Sequence, residues 1–532
     1  MTMTCRTALA WLLAAALSAG ILPGAVSSTV TAETARQDAA VAFDNDDDDD
    51  DGGSGGDDDD DDWDDDDVPV PVPTAPVDGA PAPAPTSPGD TAPVSSRAPV
   101  VVPTITPIVG SSDEDDDVGN DDDGQDDADD SDPVPAVIEP EDDLDDDDDD
   151  DDIDDLDVPI ADRAIVGFAA GSDPRDIAER SGTELLRVVA GIDIALFGLD
   201  PERPDPDELA DLTADPDVVW GELNFTQQAP EGRPRYFFTS TASEPRIVDA
   251  PALPDGIDWD PAPGCLDGAG VTVAVLDTGI DLDHPMFEGR IAPLGLNVID
   301  PTAGIDDVGN GVDDDDDGTV DEMVGHGTHV SGTILQVASG TMILPVTVLN
   351  SDGVGDTFTL TAGIVHALNA GADVINLSLG STYDSRAIRD AIALATDRDV
   401  TVVAAAGNAA RSQPLEYPAS NDGVVSVAAT TATGDRATFS NYNVAVDLSA
   451  PGIDVASAFP DGRYATASGT SMAAPIVTGT VALLLEADPD LTPTDAATLL
   501  AGASAPLNLS EPVAEGLLGA GIIAINATVG CD

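Results

Sequence analysis

Residues 271–277, VTVAVLD, decide the fold. The run is almost wholly apolar and rich in β-branched side chains, with no polar alternate face. Such a strand must be covered on both sides, as in a parallel sheet sandwiched between helices. Working outward, MILPVTVL (342–349), DVINLSL (373–379), VTVVAAAG (400–407) and VVSVAAT (424–430) have the same character. Between them lie helical patterns such as TLTAGIVHALNAG (359–371) and DSRAIRDAIALATDRD (384–399). Alternating strands and helices imply an α/β fold with a mainly parallel central sheet in three layers. The span 251–532 is long enough to bury one large core.

Asp277 closes the first strand, where a parallel sheet opens its active edge, so its carboxylate can orient a partner without full solvation. GHGTHVSG (325–332) carries His326 and His329 in a Gly-flanked stretch that runs into a helix, and one of them should be a base. GTSMAAP (469–475) places Ser471 at the start of the apolar helix IVTGTVALLLEA, where free N–H groups favour a developing oxyanion. A serine hydroxyl is a weak nucleophile at neutral pH. It needs an imidazole to take its proton and a carboxylate to hold that imidazole. The order Asp, His, Ser supplies all three.

These words resemble those of subtilisin-like serine proteases, the subtilases, from about Val271 to Glu486. The resemblance implies that His326 is the base and His329 a structural neighbour. It implies that Asn408, ending VVAAAGN, donates to the oxyanion. INLSLG resembles the strand lining the substrate cleft, so that Ser378, Leu379 and Gly380 pair with substrate backbone. DGVG, with Gly353 and Gly355, resembles the opposite wall, which would give an extended peptide a strand partner on each side. His284, in DLDHP, and His366, in an apolar helical pattern, read as structural.

One departure concerns specificity. Before Tyr417-Pro418, where the family commonly has a small residue at the floor of the primary pocket, this chain has Glu416. A carboxylate there favours a basic P1 side chain, unless it turns to solvent or binds a cation.

The chain has 18 Lys plus Arg, all of them Arg, against 105 Asp plus Glu, for a net charge of −87. Such a field repels nucleic acid. Residues 1–32, with Arg6 ahead of ALAWLLAAALSAGIL, read as a secretory signal, and the apolar run is too short for a stable membrane anchor. The expectation is a secreted, extracellular, monomeric protein. Residues 33–157, Asp runs around a Pro-rich stretch, cannot bury enough apolar surface to order and read as a disordered spacer. Residues 158–228 interleave strands and two helices as a small α+β domain. Its closing DPDVVWGELNF resembles the end of an inhibitor-type propeptide, which implies a zymogen whose own propeptide occupies the cleft. Maturation cuts are expected in the connector 229–250, with Arg235 and Arg246 as candidates, ahead of a peptidase domain over 251–532. With Cys5 removed, Cys265 and Cys531 remain, either bridged or as free thiols.

Between acid and base lies GIDDVGNGVDDDDDGTVDEMV (304–324). Asp313, Asp315 and Asp317 alternate, Gly318 follows, and the Thr319 carbonyl and Asp321 come at two-residue steps, which is the opening of an EF-hand-like Ca²⁺ loop. The twelfth position is Val324 rather than Glu, so Asp321 or Glu322 must supply the closing ligand. Structural Ca²⁺ is expected, with no cofactor for catalysis. The expected function is a serine endopeptidase acting on proteins and peptides. Its rival is an inactive calcium-dependent binding or adhesion protein on the same scaffold.

Overall fold

The computed structural model describes residues 159–531, save 204, 232–244, 255, 260–263, 316 and 511. The expected signal (1–32) and acidic spacer (33–157) lie outside the described residues, as do most of the connector and the Arg235 junction.

The chain begins with β1 (Pro159–Phe168), α1 (Pro174–Ser181), β2 (Glu184–Val188), β3 (Ile194–Gly198), α2 (Asp205–Thr213) and β4 (Val218–Gln228). The strands form an antiparallel sheet in the order β2-β3-β1-β4. A separate small core, including Val166, Ile177, Phe197 and Leu212, fills the space under the two helices. After the connector come β5 (Arg246–Val248), β6 (Thr272–Asp277), β7 (Leu296–Asn297), α3 (His326–Val337), β8 (Met342–Thr347), β9 (Val354–Asp356), α4 (Thr357–Ala370), β10 (Val374–Leu377) and α5 (Arg386–Asp397). The chain ends with β11 (Thr401–Ala405), β12 (Val424–Thr430), β13 (Leu448–Pro451), β14 (Val455–Phe459), β15 (Arg463–Ala467), α6 (Thr470–Ala487), α7 (Pro493–Ala503) and α8 (Ile525–Val529).

The main sheet is parallel throughout, in the order β13-β12-β11-β10-β6-β8-β7. Val273 through Leu276 and every residue of β10, β11 and β12 are buried, as their unbroken apolar runs require. Helices α3 and α6 pack together on one face and α4 and α5 on the other, giving three layers. Among the described residues only Thr470–Ala487 is long and apolar enough to cross a membrane, and 89% of it is buried in the core.

Two features were not visible as elements in the sequence. The connector does not run free: Arg246–Val248 pairs with β15 as the edge of a three-stranded sheet. Strand β4 does not stop at its own sheet either. It pairs antiparallel with β9, matching Thr226 to Asp356, Gln227 to Gly355 and Gln228 to Val354. A disulfide joins Cys265 to Cys531, with 6.2 Å between their Cα atoms.

Candidate active site

Asp277 ends the central strand β6, and the first turn of α3 lies directly against it. A Cβ at Gly327 would run into the Gly279 carbonyl, so glycine allows the two segments to touch. Asp277 Oδ1 is 2.7 Å from His326 Nδ1 and also accepts from Thr278 N at 2.8 Å. Asp277, His326 and Ser471 are all buried. Ser471 sits in the first turn of α6, whose N-cap Gly469 offers no side-chain cap.

The space where a reacting carbonyl would lie is filled by Glu231. Its Oε2 accepts from Ser471 Oγ at 2.6 Å and lies 3.2 Å from His326 Nε2. Its Oε1 accepts from Asn408 Nδ2 at 2.8 Å. The amide of Asn408 is aimed there because its Oδ1 accepts from both Thr470 N and Thr470 Oγ1 at 2.9 Å. Burial alone pulls the His326 imidazole down, yet the carboxylates of Asp277 and Glu231 outweigh it and raise the ring to about 10. Burial lowers His329 to about 4, and its Nε2 meets the Val455 and Ala465 carbonyls, a structural contact. His284 and His366 likewise bind backbone groups, at Arg463 O and Leu294 O.

The two expected cleft walls are both occupied by the chain's own residues. Gln228 N donates to Gly380 O at 3.0 Å and Gly380 N returns the bond to Gln228 O at 2.8 Å. On the other side Ala229 N donates to Gly353 O at 2.9 Å, and Gly355 is matched to Gln227. Ser378 turns its hydroxyl inward to the Ser471 carbonyl (3.0 Å), pinning the cleft strand to α6, and Leu379 is buried. Upstream, Glu222 accepts from Arg386 N and Ala387 N, both at 2.9 Å, at the start of α5, while Asn224 Oδ1 accepts from Phe358 N at the start of α4. Strand β4 thus caps two helices of the larger sheet, and three residues past its end Glu231 reaches Ser471 and His326.

Glu416 is buried, and a Cβ at Gly380 or Gly407 would meet its carboxylate at 2.9 Å, so it lies against the backbone of the cleft strand and of the residue before Asn408. Arg411 Nη2 stands 3.7 Å from its Oε2, an internal cation that offsets part of its charge.

In the acidic loop, oxygens of Asp313, Asp315 and Asp317 lie within 4.8 Å of one another. Asp313 Oδ1 and both Glu322 oxygens are buried without a hydrogen-bond partner among the described residues. Burial, with Asp352, Asp315 and Asp317 close by, pushes Glu322 up to about 8. Burial and Asp317 push Asp315 to about 6. Clustered carboxylates, one oxygen of Asp313 among them unpartnered, are a hard, oxygen-only donor set that suits Ca²⁺. Of the two candidate closing ligands, Asp321 is engaged elsewhere, accepting from Asn310 N (2.8 Å) and Gly311 N, whereas both Glu322 oxygens are buried without a partner, close enough to feel the charges of Asp315 and Asp317. Thr319 follows on the turn with its N–H on Asp317 Oδ1 at 2.7 Å. Asp352, next to the cleft-wall Gly353, takes the Asp314 and Asp321 amides on its buried carboxylate.

Glu222, Asn224, Glu231 and Asp352 all escape sequence reasoning. Each acts on groups tens to hundreds of residues away; Glu222 and Asn224 lie in the WGELNF word and Asp352 opens DGVG, but neither word gave these side chains a role.

The sequence profile of the subtilase family matches residues 268–521. An intracellular serine protease of Paenibacillus polymyxa is 37% identical over 279 residues, 49% of this chain and 77% of the relative. An extracellular serine proteinase of Thermus sp. (strain Rt41A) is 39% identical over 333 residues, 60% of this chain and 73% of the relative. Among solved structures, fervidolysin from Fervidobacterium pennivorans, a keratinolytic enzyme related to subtilisin, aligns with TM-score 0.56 at 23% identity, covering 70% of this chain and 61% of its own; this likeness concerns the fold. Strand order, site geometry and sequence similarity converge on one conclusion: the chain belongs to the subtilase family and is a subtilisin-like serine endopeptidase.

Proposed function

We propose that the chain is the self-inhibited precursor of a secreted endopeptidase, with residues 158–228 as its propeptide and 251–532 as the enzyme. The observation that carries this reading is the path of Gln228 to Glu231, which threads both cleft walls and sets a carboxylate on Ser471, His326 and Asn408. In the released enzyme, Ser471 attacks the scissile carbonyl and its proton passes to His326 Nε2, while Asp277 holds the imidazolium. The oxyanion forms against Asn408 Nδ2 and the Ser471 N–H. The C–N bond breaks as His326 returns the proton to the leaving amine. Water then repeats the sequence on the acyl-enzyme.

Secretion is supported by the leader-like run at 1–32 and by the disulfide, which belongs to an oxidising compartment. Antiparallel pairing of Gln228 with Gly380 favours a first cut close to Glu231, since cutting after Arg235 or Arg246 requires later residues to slide into the cleft. In the mature pocket Glu416 selects basic P1 side chains, a preference moderated by Arg411. Asp313, Asp315, Asp317, the Thr319 carbonyl and Glu322 hold a Ca²⁺ that steadies the loop before His326.

The test uses the full-length chain. A fluorophosphonate probe labels the processed wild type, whose new N-terminus falls within 229–250, and Ser471→Ala accumulates unlabelled and uncut. An unlabelled wild type, or a mature terminus far upstream of Pro230, overturns the proposal. Substrate libraries on the labelled enzyme then read the P1 preference, and indifference to P1 charge removes Glu416 from the scheme.

A further inference from the structure

The base sits on a helix end that lacks its own cap. Gly325 has no side chain to accept the free N–H groups of α3, which need partners from elsewhere. Asp307 supplies them from 18 and 21 residues upstream of Gly325 and Thr328, and it is only 3% exposed. Its Oδ1 accepts from Gly325 N at 3.0 Å and its Oδ2 from Thr328 N at 3.1 Å. The same two oxygens accept from the hydroxyls of Thr278 (3.1 Å) and Thr328 (2.6 Å). Thr278 directly follows the triad acid, and its Oγ1 accepts from Gly327 N at 3.0 Å. Thr328 Oγ1 accepts from Asp281 N at 2.9 Å, closing the network onto the loop after β6. Burial and the nearby Asp277 push the Asp307 carboxyl up, and the donors from Gly325 and Thr328 oppose that by favouring the ionised form.

We infer that Asp307 is a positioning residue for the peptidase reaction: it clamps the first turn of α3 to the loop after Asp277 and places a negative charge at the helix end beside His326. The clamp fixes the imidazole between Asp277 and Ser471, where a displacement near 1 Å costs on the order of 10²-fold in rate. The charge opposes the positive helix terminus, which disfavours the imidazolium formed in each catalytic cycle. The inference rests on the assignment of Asp277, His326 and Ser471 as the working triad. The ionisable groups around Asp307 among the described residues are Asp277 and His326 from β6 and α3, Asp281 through Thr328, its neighbour Asp306, Asp283 and Asp461 across the cavity that Asp307 lines with them, and Glu231 beyond His326 in the precursor.

The test compares processed wild type, Asp307→Asn and Thr328→Val, with rates normalised to sites labelled by a fluorophosphonate probe. Labelling of the wild type shows that the triad assignment holds, which separates failure of that assignment from failure of this one. For Asp307→Asn, kcat falls about 10- to 100-fold while KM stays within about twofold, and the acid limb of the kcat profile moves to lower pH because a negative charge beside His326 has gone. For Thr328→Val, which keeps the charge, kcat falls less, by about 3- to 10-fold, and the acid limb stays in place. A normalised kcat within about twofold of wild type in Asp307→Asn overturns the inference. Where Asp307→Asn yields no folded enzyme, an unchanged normalised kcat in Thr328→Val overturns it.

Discussion

Glu231 gives three catalytic groups a partner at once. Its carboxylate stands in for the anion that forms on a substrate carbonyl, and its charge joins that of Asp277 in keeping His326 protonated. A protonated imidazole cannot accept the Ser471 proton, so in the proposed precursor the contact would disable the base as well as block the groove. In a Ser471→Ala precursor, NMR titration of the His326 ring should give a midpoint far above an ordinary histidine, and adding Glu231→Gln should lower it by at least about one pH unit. The sign for stability follows from the direction of the shift. A ring raised from 6.5 to about 10 contributes stability that is fully present below about pH 6.5 and is lost as pH rises through 10. Thermal unfolding of the uncut precursor should therefore fall in temperature over that window. Glu231→Gln should flatten the fall, and equal slopes in the two proteins would refute the contact.

At the scale of elements, the acidic loop and the cleft wall share a joint. Asp352 holds two loop amides and precedes Gly353, and Met323 N donates to Ser351 O at 2.9 Å. Without a cation, the carboxylates of Asp313, Asp315, Asp317 and Glu322 confront one another beside this joint. Chelation with EDTA should lower the unfolding midpoint of the processed enzyme by about 5–10 °C, with recovery on adding Ca²⁺, and an unchanged midpoint would mark the loop as merely solvated. The long parallel strands were legible because burial on both faces writes an unbroken apolar run. The two-residue β7 and the four-residue β13 were not, since short edge strands exist only through their neighbours. Helix starts show the same division. Asp356 and Ser385 cap α4 and α5 locally and can be read from sequence, whereas Asn224 and Glu222 reach those helices across 134 and 165 residues. The triad words were equally local. The Glu231 contact spans 240 residues to Ser471 and left no trace in a stretch that reads as polar connector.

For the whole molecule, charge is the dominant quantity. Counting 251–532 gives 38 acids and 7 arginines, so the peptidase portion alone carries 7 − 38 = −31. Much of this repulsion is spread over the surface and is screened once the Debye length shrinks to about 3 Å near molar salt. With Ca²⁺ held saturating, the unfolding midpoint should rise steadily between low and molar NaCl, and a flat response would mean that repulsion does not limit stability. Sequence alone left the state of the two cysteines open, because pairing depends on where the two ends of the fold meet. The bridge between Cys265 and Cys531 spans 266 residues and encloses nearly all of the enzyme. In the processed enzyme proposed above, it would make the peptidase a closed covalent loop. A single nick inside that loop opens the ring without releasing a fragment, so an enzyme exposed to its own kind survives the first cut as one molecule, and its pieces come apart only under a reductant.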